Sequence, residues 1–307
     1  MTARIFGVDY QFLACGDVFT EGLRHAAEAL GFAYAHADWN DRDLPATVAR
    51  FDPSLLVVVH GRRFARRWPT VDFRRYRSAV WLLDEPYEVD DTRTYSDQFS
   101  RVFVNDPATL ARHPGAVYLP VCYDPRVHYP DDVPPAHAVG FIGGGNATRD
   151  RYLAALAARG LLSYVVGGSW ADAGVMARCR TLTITPAETA ALYRATRIVL
   201  NVWRDRHHFN RDGVAATALN PRVYEALACG ALVVSEWRPE VDTLVPDLPT
   251  FRTVDECLAV VTNLLEHPDD AEACRVRCAA ALASHTYAAR LRTILDVMAD
   301  VPVGVGP

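Results

Sequence analysis

The run Asn220-Pro221-Arg222-Val223-Tyr224-Glu225-Ala226-Leu227-Ala228-Cys229-Gly230, followed by the β-rich Ala231–Ser235, has the residue types to hold a polar ligand on a short helix. Asn220 is a favoured N-cap, Pro221 suits the first helical position and Gly230 suits the stop. Glu225 sits among Val223, Ala226, Leu227 and Ala228, where an unpaired carboxylate is costly to bury. It therefore needs a partner, and either a sugar diol or an internal arginine such as Arg222 would serve. The loop Gly143-Gly144-Gly145-Asn146-Ala147-Thr148-Arg149 leaves a strand pattern and enters a helix pattern, the place where backbone N–H groups and the helix dipole hold phosphate. A dinucleotide fingerprint would want a third glycine where Thr148 stands, so an ordinary tight turn is the competing reading. Arg149 and Arg151 in the first helical turn oppose the dipole unless an anion is near.

The first half offers acids and a histidine at strand ends. Asp84-Glu85-Pro86 follows the fourth strand pattern, and ligands of open α/β sheets sit beyond the carboxyl ends of strands. Two adjacent carboxylates repel, so one gains a raised pKa and the character of a base on an acceptor hydroxyl; a solvated strand end is the plain alternative. His60, one residue past the third apolar run, occupies an equivalent edge. Cys15-Gly16-Asp17 forms a turn after the first strand. Segment 62–77 interleaves seven arginines with Phe64, Trp68, Phe73 and Tyr76, a pattern that suits an anionic, stackable acceptor such as nucleic acid as well as a solvated helix face. In 203–213, Arg204 follows a strand end, and the adjacent His207 and His208 lack the spacing of a helical zinc pair. No metal site is expected.

The elements that must position these residues read as alternating strands and helices, the pattern of parallel α/β sheets. Strands are expected at 3–9, 32–38, 54–61, 79–84, 101–105 and 116–121, with a helix at 18–30. Four prolines in the fourteen residues 124–137 read as a linker. Alternation restarts with strands at 138–142, 163–167, 181–184, 197–202 and 231–235, and helices at 149–159, 187–195, 221–229, 254–266 and about 270–299. Two Rossmann-like domains are expected, 1–123 and 138–283, with residues 284–307 returning to the first.

Composition removes alternatives. The 307 residues contain no lysine, so all 32 basic residues are arginine. Schiff-base, Walker-loop and kinase-type lysine chemistry is excluded. The formal charge of −5 gives no global pull toward nucleic acid. Seven scattered cysteines without a CxxC pair encode neither a disulfide framework nor a zinc knuckle. With no signal-like start and no long apolar run, a cytoplasmic location is expected.

The pattern R-x-x-E-A-L-A-C-G-A-L-V-V-S-E at 222–236 resembles the nucleotide-sugar segment of GT-B glycosyltransferases. WLLDEP at 81–86, YLPVCYDP at 118–125, FIGGGNATRDRYL at 141–153, LYRATRIVLNVW at 192–203 and SHTYAARLRTIL at 284–295 resemble more specifically the spore-maturation CgeB-like branch of group 1. The resemblance implies two Rossmann-like domains facing each other across a cleft, with a nucleoside-diphosphate-sugar such as a UDP-sugar on the second and the acceptor on the first. It implies that Glu225 binds the donor ribose and that Arg222, with the backbone of Asn220 and Pro221, lies at the diphosphate. Gly143, Gly144 and Gly145 join that donor site, and Gly16 and Asp17 form the sugar or acceptor loop. Many retaining relatives have a second glutamate eight positions before the ribose glutamate, and Thr217 stands there here. Without lysine, the leaving diphosphate must be met by arginine: Arg149 first, Arg204 or Arg206 next. The implied activity is metal-independent and cofactor-free glycosyl transfer, with Asp84, Glu85 or His60 as catalytic groups. The acceptor is left open among a small molecule, a glycan, a lipid carrier and nucleic acid. An epimerase, a hydrolase or a non-catalytic sugar-binding protein of the same fold remains the alternative.

Overall fold

The computed structural model describes residues 3–9, 16–60, 67–68, 75–132, 134–204 and 209–301, Gly16 by its backbone alone. Chain contacts divide it into two units. The first comprises the described residues within Met1–Asp124, His207–Ala218 and His285–Pro307, and the second comprises those within Pro125–Arg206 and Leu219–Ser284.

The first unit is built on β1 (Arg4–Asp9), β2 (Ala33–Asp38), β3 (Leu55–Val59), β4 (Ser78–Leu82), β5 (Arg101–Val104) and β6 (Val117–Tyr118), all parallel in the order β2-β1-β3-β4-β5-β6. β3 and β4 are buried along their whole length, which is why they read as unbroken apolar runs. Helices α1 (Gly16–Ala29), α2 (Leu44–Phe51) and the short α3 (Val89–Thr92) connect them. One face of the sheet packs Leu23 and Ala27 of α1 with Trp81, Leu291 and Ile294. The other face packs Leu44 and Val48 of α2 with Tyr95 and Phe99.

The second unit orders β7 (His137–Ile142), β8 (Leu162–Val166), β9 (Cys179–Thr181), β10 (Thr196–Asn201), β11 (Leu232–Glu236) and β12 (Thr250–Phe251) as β12-β11-β10-β7-β8-β9, again all parallel. Its helices include α4 (Ala147–Ala158), α5 (Pro186–Arg194), α6 (Pro221–Ala228), α7 (Val254–Glu266) and α8 (Pro268–Leu282). Relative to its own chain order this is the doubly wound nucleotide-binding arrangement, whose direction reverses between β7 and β10. In the first sheet the reversal falls between β1 and β3.

Two sequence expectations change. The single helix expected from about 270 to 299 is two, α8 and α9 (Tyr287–Ala299). Thr286 starts the second one, its hydroxyl accepting from the Ala289 amide at 3.3 Å, an N-cap that uninterrupted apolar periodicity conceals. α9 lies with the first unit, where Arg290 donates to the Pro120 carbonyl at 2.7 Å and the Val121 carbonyl at 3.1 Å. Residues 209–218, expected with the second domain, also run with the first unit. The Asp106 carboxylate holds them by accepting from the amides of Thr217 at 2.7 Å and Ala218 at 3.0 Å, and from the Thr217 hydroxyl. Among the described residues no helix is long and apolar enough to cross a membrane.

Candidate functional site

In the second unit the glycine loop, two arginines and the start of α6 meet where β7 and β10 end. Gly143 has φ +153°, and a Cβ there would lie 2.8 Å from Arg222 Nη2 and 3.2 Å from the Phe141 ring. Only glycine lets the arginine lie this close to the loop. Gly145 is explained by packing instead: a Cβ would lie 2.3 Å from the Ser169 carbonyl oxygen, and its amide donates to the Gly168 carbonyl at 2.7 Å. Gly144 carries no such constraint, with its nearest neighbour 4.0 Å away.

Arg149 donates through Nε to the Val202 carbonyl at 3.0 Å and through Nη1 to the Gly144 carbonyl at 2.7 Å, so its side chain bridges the two strand ends. Arg222 donates through Nη1 to Asn201 Oδ1 at 2.6 Å and through Nη2 to the Ile142 carbonyl. Both guanidinium groups lie over Phe141, at 5.4 and 4.8 Å from the ring centroid. Two cations thus converge on the crevice where open α/β sheets bind their ligands. The planar donor fork of each suits phosphate oxygens.

Asn220 occupies the N-cap position of α6, but its side chain does not cap the helix. Its amide nitrogen donates to Asn201 Oδ1 at 3.0 Å instead. Among the described residues Asn220 Oδ1 and Arg222 Nε are buried without a hydrogen-bond partner, the signature of a polar site awaiting one. Pro221 has no N–H to give and the Val223 amide donates to the Asn220 carbonyl at 3.2 Å, so what the start of α6 offers an anion is chiefly its dipole. Asn201, fully buried at the end of β10, joins these groups and donates to Ser235 Oγ at 2.9 Å. It was missed because one asparagine at a strand end carries no sequence signal.

Glu225 lies one turn into α6 with 7% of its surface exposed. Burial pushes its carboxyl above the usual carboxylate range, with the charges of His128 and Arg222 pulling the other way. It is a costly group held next to the arginine cluster. Position 217 is committed elsewhere: the Thr217 hydroxyl and amide bind Asp106 within the first unit. Arg204 follows the end of β10 and is half-buried.

In the first unit Asp38, Asp9, His60 and Asp84 stand at or just past the carboxyl ends of β2, β1, β3 and β4, four neighbouring strands. His60 is 2% exposed and holds a left-handed backbone, φ +66°, an unusual conformation for a residue with a Cβ. Its amide donates to the Trp81 carbonyl at 2.7 Å, its carbonyl accepts from the Tyr95 hydroxyl at 2.8 Å, and its Nε2 lies 3.3 Å from Glu88 Oε2. Ligand atoms of His60, Asp84 and Glu88 all lie within 4.8 Å of one another. The sequence reading, which expects no metal, did not anticipate this grouping because Glu88 reaches it through α3.

Glu85 requires a correction. Its side chain is fully buried, accepting from the Thr92 hydroxyl at 2.6 Å with Oε2 3.5 Å from His113 Nε2, and its amide donates to Asn105 at 3.0 Å. A carboxylate enclosed in this way cannot reach an acceptor hydroxyl, so Glu85 is structural and Asp84, half-buried, is the acid that remains. Gly16 and Asp17 open α1. The acids Asp9 and Asp38, each the last residue of its strand, were not singled out from sequence. Of the arginine-rich segment, only Arg67, Trp68 and residues 75–77 are described, and Arg67 lies over the Trp68 ring at 4.6 Å. Cys15, Arg206, His207, His208 and the rest of 62–77 lie outside the described residues.

Comparison with known proteins agrees with this architecture. Residues 149–296 match the model of a family described as glycosyl transferase-like. No curated protein matches the chain in sequence. Among solved structures, sucrose-phosphate synthase from Thermosynechococcus elongatus is 12% identical with a TM-score of 0.68, the match covering 98% of this chain and 100% of that one. An α-glucosyltransferase in complex with UDP and a 13-mer DNA containing an A:G mismatch is 10% identical with a TM-score of 0.69, covering 97% of this chain and 100% of that one. A DNA-modifying β-glucosyltransferase studied with and without uridine diphosphoglucose is 12% identical with a TM-score of 0.61, covering 97% and 100%. At these identities the likeness is one of fold. The chain has the GT-B fold, and its residues 149–296 carry the signature of a glycosyl transferase-like family.

Proposed function

We propose that the chain is a glycosyltransferase that moves a sugar from a nucleoside-diphosphate-sugar, such as a UDP-sugar, to an acceptor hydroxyl. The observation that carries this reading is the convergence of Arg149 and Arg222 on the ends of β7 and β10, beside the side-chain-uncapped start of α6. The diphosphate lies against these two guanidinium groups and the Gly143–Gly145 loop, with Arg204 nearby. Glu225 accepts hydrogen bonds from the ribose diol. In the transfer, the acceptor oxygen bonds to the anomeric carbon. The bond from that carbon to the diphosphate oxygen breaks, its electron pair leaving with the nucleoside diphosphate. The acceptor proton passes to a base of the first unit, for which Asp84, beside His60, is proposed. Arginines and a helix N-terminus supply the positive charge a leaving diphosphate needs, so the proposed reaction is metal-independent and needs no cofactor.

Commitment of Thr217 to Asp106 supports a mechanism without the second glutamate of many retaining relatives. The segments 81–86 and 284–295 support placement in the CgeB-like branch. The proposed site of action is the cytoplasm, where unpaired buried thiols such as Cys229 and Cys257 stay reduced. The test is incubation of the full chain with labelled nucleotide sugars and an acceptor panel. Free nucleoside diphosphate together with a glycosylated product establishes transfer. An altered sugar would replace this reading with epimerisation, release of free sugar alone with hydrolysis, and binding without turnover with sensing.

A further inference from the structure

A cavity of about 260 Å³ lies where β1 and β2 end, lined by Asp9, Asp17, Thr20, Glu21, His36 and Asp38. The strand register sets Asp9 directly opposite Asp38, and like charges so placed destabilise a sheet. Asp17 adds a third carboxylate from the first turn of α1. Glu21 is answered by Arg24, with His25 Nε2 at 3.8 Å. Among the described residues no cation pairs with Asp9, Asp17 or Asp38. Burial, then the charges of Asp38 and Asp17, push the Asp9 carboxyl up to about 7.

A second observation points to a ligand independently of the acids. Thr20 is 7% exposed, lines the cavity, and its hydroxyl has no hydrogen-bond partner among the described residues. A threonine within a helix ordinarily satisfies its hydroxyl on a carbonyl of the preceding turn; here that bond is not made, and Thr20 is a buried, unpartnered polar side chain on the cavity wall. Among the described residues, the group of acids and histidines with ligand atoms all within 4.8 Å is His60, Asp84 and Glu88. Among the described residues no three ligand atoms of the cavity's acids and histidine lie that close together. The volume is just under the roughly 300–1,000 Å³ of drug-sized ligand sites, which suits a ligand of one or two small rings.

We propose that this cavity binds the acceptor, and that the acceptor is a polyol carrying an ammonium group, of the amino-sugar or aminocyclitol class. The ammonium lies against Asp9, Asp17 and Asp38, and a hydroxyl pairs with Thr20. The same carboxylates repel a phosphorylated sugar or a nucleic-acid backbone. The word acceptor rests on the glycosyl-transfer reading; the ligand chemistry of the cavity does not.

The test is calorimetric titration of the full chain with neamine, its fully N-acetylated derivative, and magnesium chloride. Tight binding of neamine, at least tenfold weaker binding of the neutral derivative, and a tenfold or greater loss in both Asp38→Asn and Thr20→Val are expected. Equal affinity for the two derivatives, no binding of neamine, retained affinity in the variants, or displacement of neamine by millimolar magnesium each overturns the proposal. Titration with UDP and other nucleoside diphosphates separates the two readings. Nucleotide binding without neamine binding removes this inference alone, whereas charge-selective neamine binding by a chain that takes no nucleotide removes glycosyl transfer and leaves an amino-polyol site.

Discussion

The Asp9 cluster makes a sharp thermodynamic prediction because it should cost the fold stability in a pH-dependent way. The carboxyl is raised from 3.8 to about 7, chiefly by burial and then by Asp38 and Asp17. Between these values the folded chain holds a proton that the unfolded chain has released. Stability contributed by this group is therefore greatest near pH 4, falls as pH rises toward 7, and is flat beyond. Three units correspond to about 4 kcal/mol at 1.36 kcal/mol each, and screening at a partly exposed site reduces this to about 1–2 kcal/mol. Asp9→Asn removes the titrating charge and keeps the size. Urea unfolding followed through tryptophan fluorescence, to which Trp81 buried in the first sheet contributes, should show the variant more stable than the parent at pH 8 by about 1–2 kcal/mol. That advantage should shrink by roughly half or more at pH 5. An advantage of the same size at both pH values, or none at pH 8, would refute the electrostatic account of the cavity.

Four further outcomes follow from the site geometry. Glu225→Ala should weaken nucleoside diphosphate binding by about 1–3 kcal/mol in calorimetry, and unchanged affinity would remove Glu225 from the donor site. Arg149→Ala should weaken binding of the diphosphate more than of the bare nucleoside, and equal losses would place Arg149 away from the phosphates. Asp84→Asn should lower kcat by roughly a hundredfold or more with donor affinity retained, while Glu85→Gln, which disturbs the buried contacts with Thr92 and His113, should act on thermal stability first. Transfer should persist after dialysis against EDTA; loss restored by manganese would move the charge-neutralising role to His60, Asp84 and Glu88.

The parallel sheets were legible because apolar strand runs alternate with amphipathic helices, and because Pro221 and Gly230 punctuate α6 from within the sequence. The break between α8 and α9 was concealed by an apolar pattern that continues across Ser284 and His285, although Thr286 carries the N-cap signal. Glu85 and Asp84 are indistinguishable as adjacent acids, and only α3 and His113 decide which one turns inward. Asn220 shows the limit of reading caps: its residue type fits, but its Nδ2 donates to Asn201 Oδ1, and its own Oδ1 accepts from no α6 amide. Thr217 appeared as the absence of an acid and is instead an anchor for a segment that sequence alone assigned to the other unit. Long-range partners decide each of these cases, and no local spacing encodes them.

Charge is divided between the two sheets in a way that net charge hides. The ends of β7 and β10 gather guanidinium groups, with Glu225 buried in α6 and the Glu236 carboxylate accepting from the Trp203 amide just beyond β10, whereas the ends of β1 and β2 gather carboxylates. Each arrangement repels itself. Arg149 and Arg222 offset this by donating to backbone carbonyls and Asn201, whereas Asp38 accepts from the Asn40 amide at 3.1 Å and Asp9 is shifted toward its protonated form. Self-repulsion of this kind is what a binding site pays for with stability, since a ligand of opposite charge relieves it on arrival. In the proposed reading a diphosphate relieves the first and an ammonium the second. The lysine-free composition sharpens the contrast, because the cationic site is then built from planar forks suited to phosphate. The anionic site has no guanidinium paired with Asp9 or Asp38 among the described residues. Such a chain would discriminate its two substrates by sign of charge before any contact with the sugar is made.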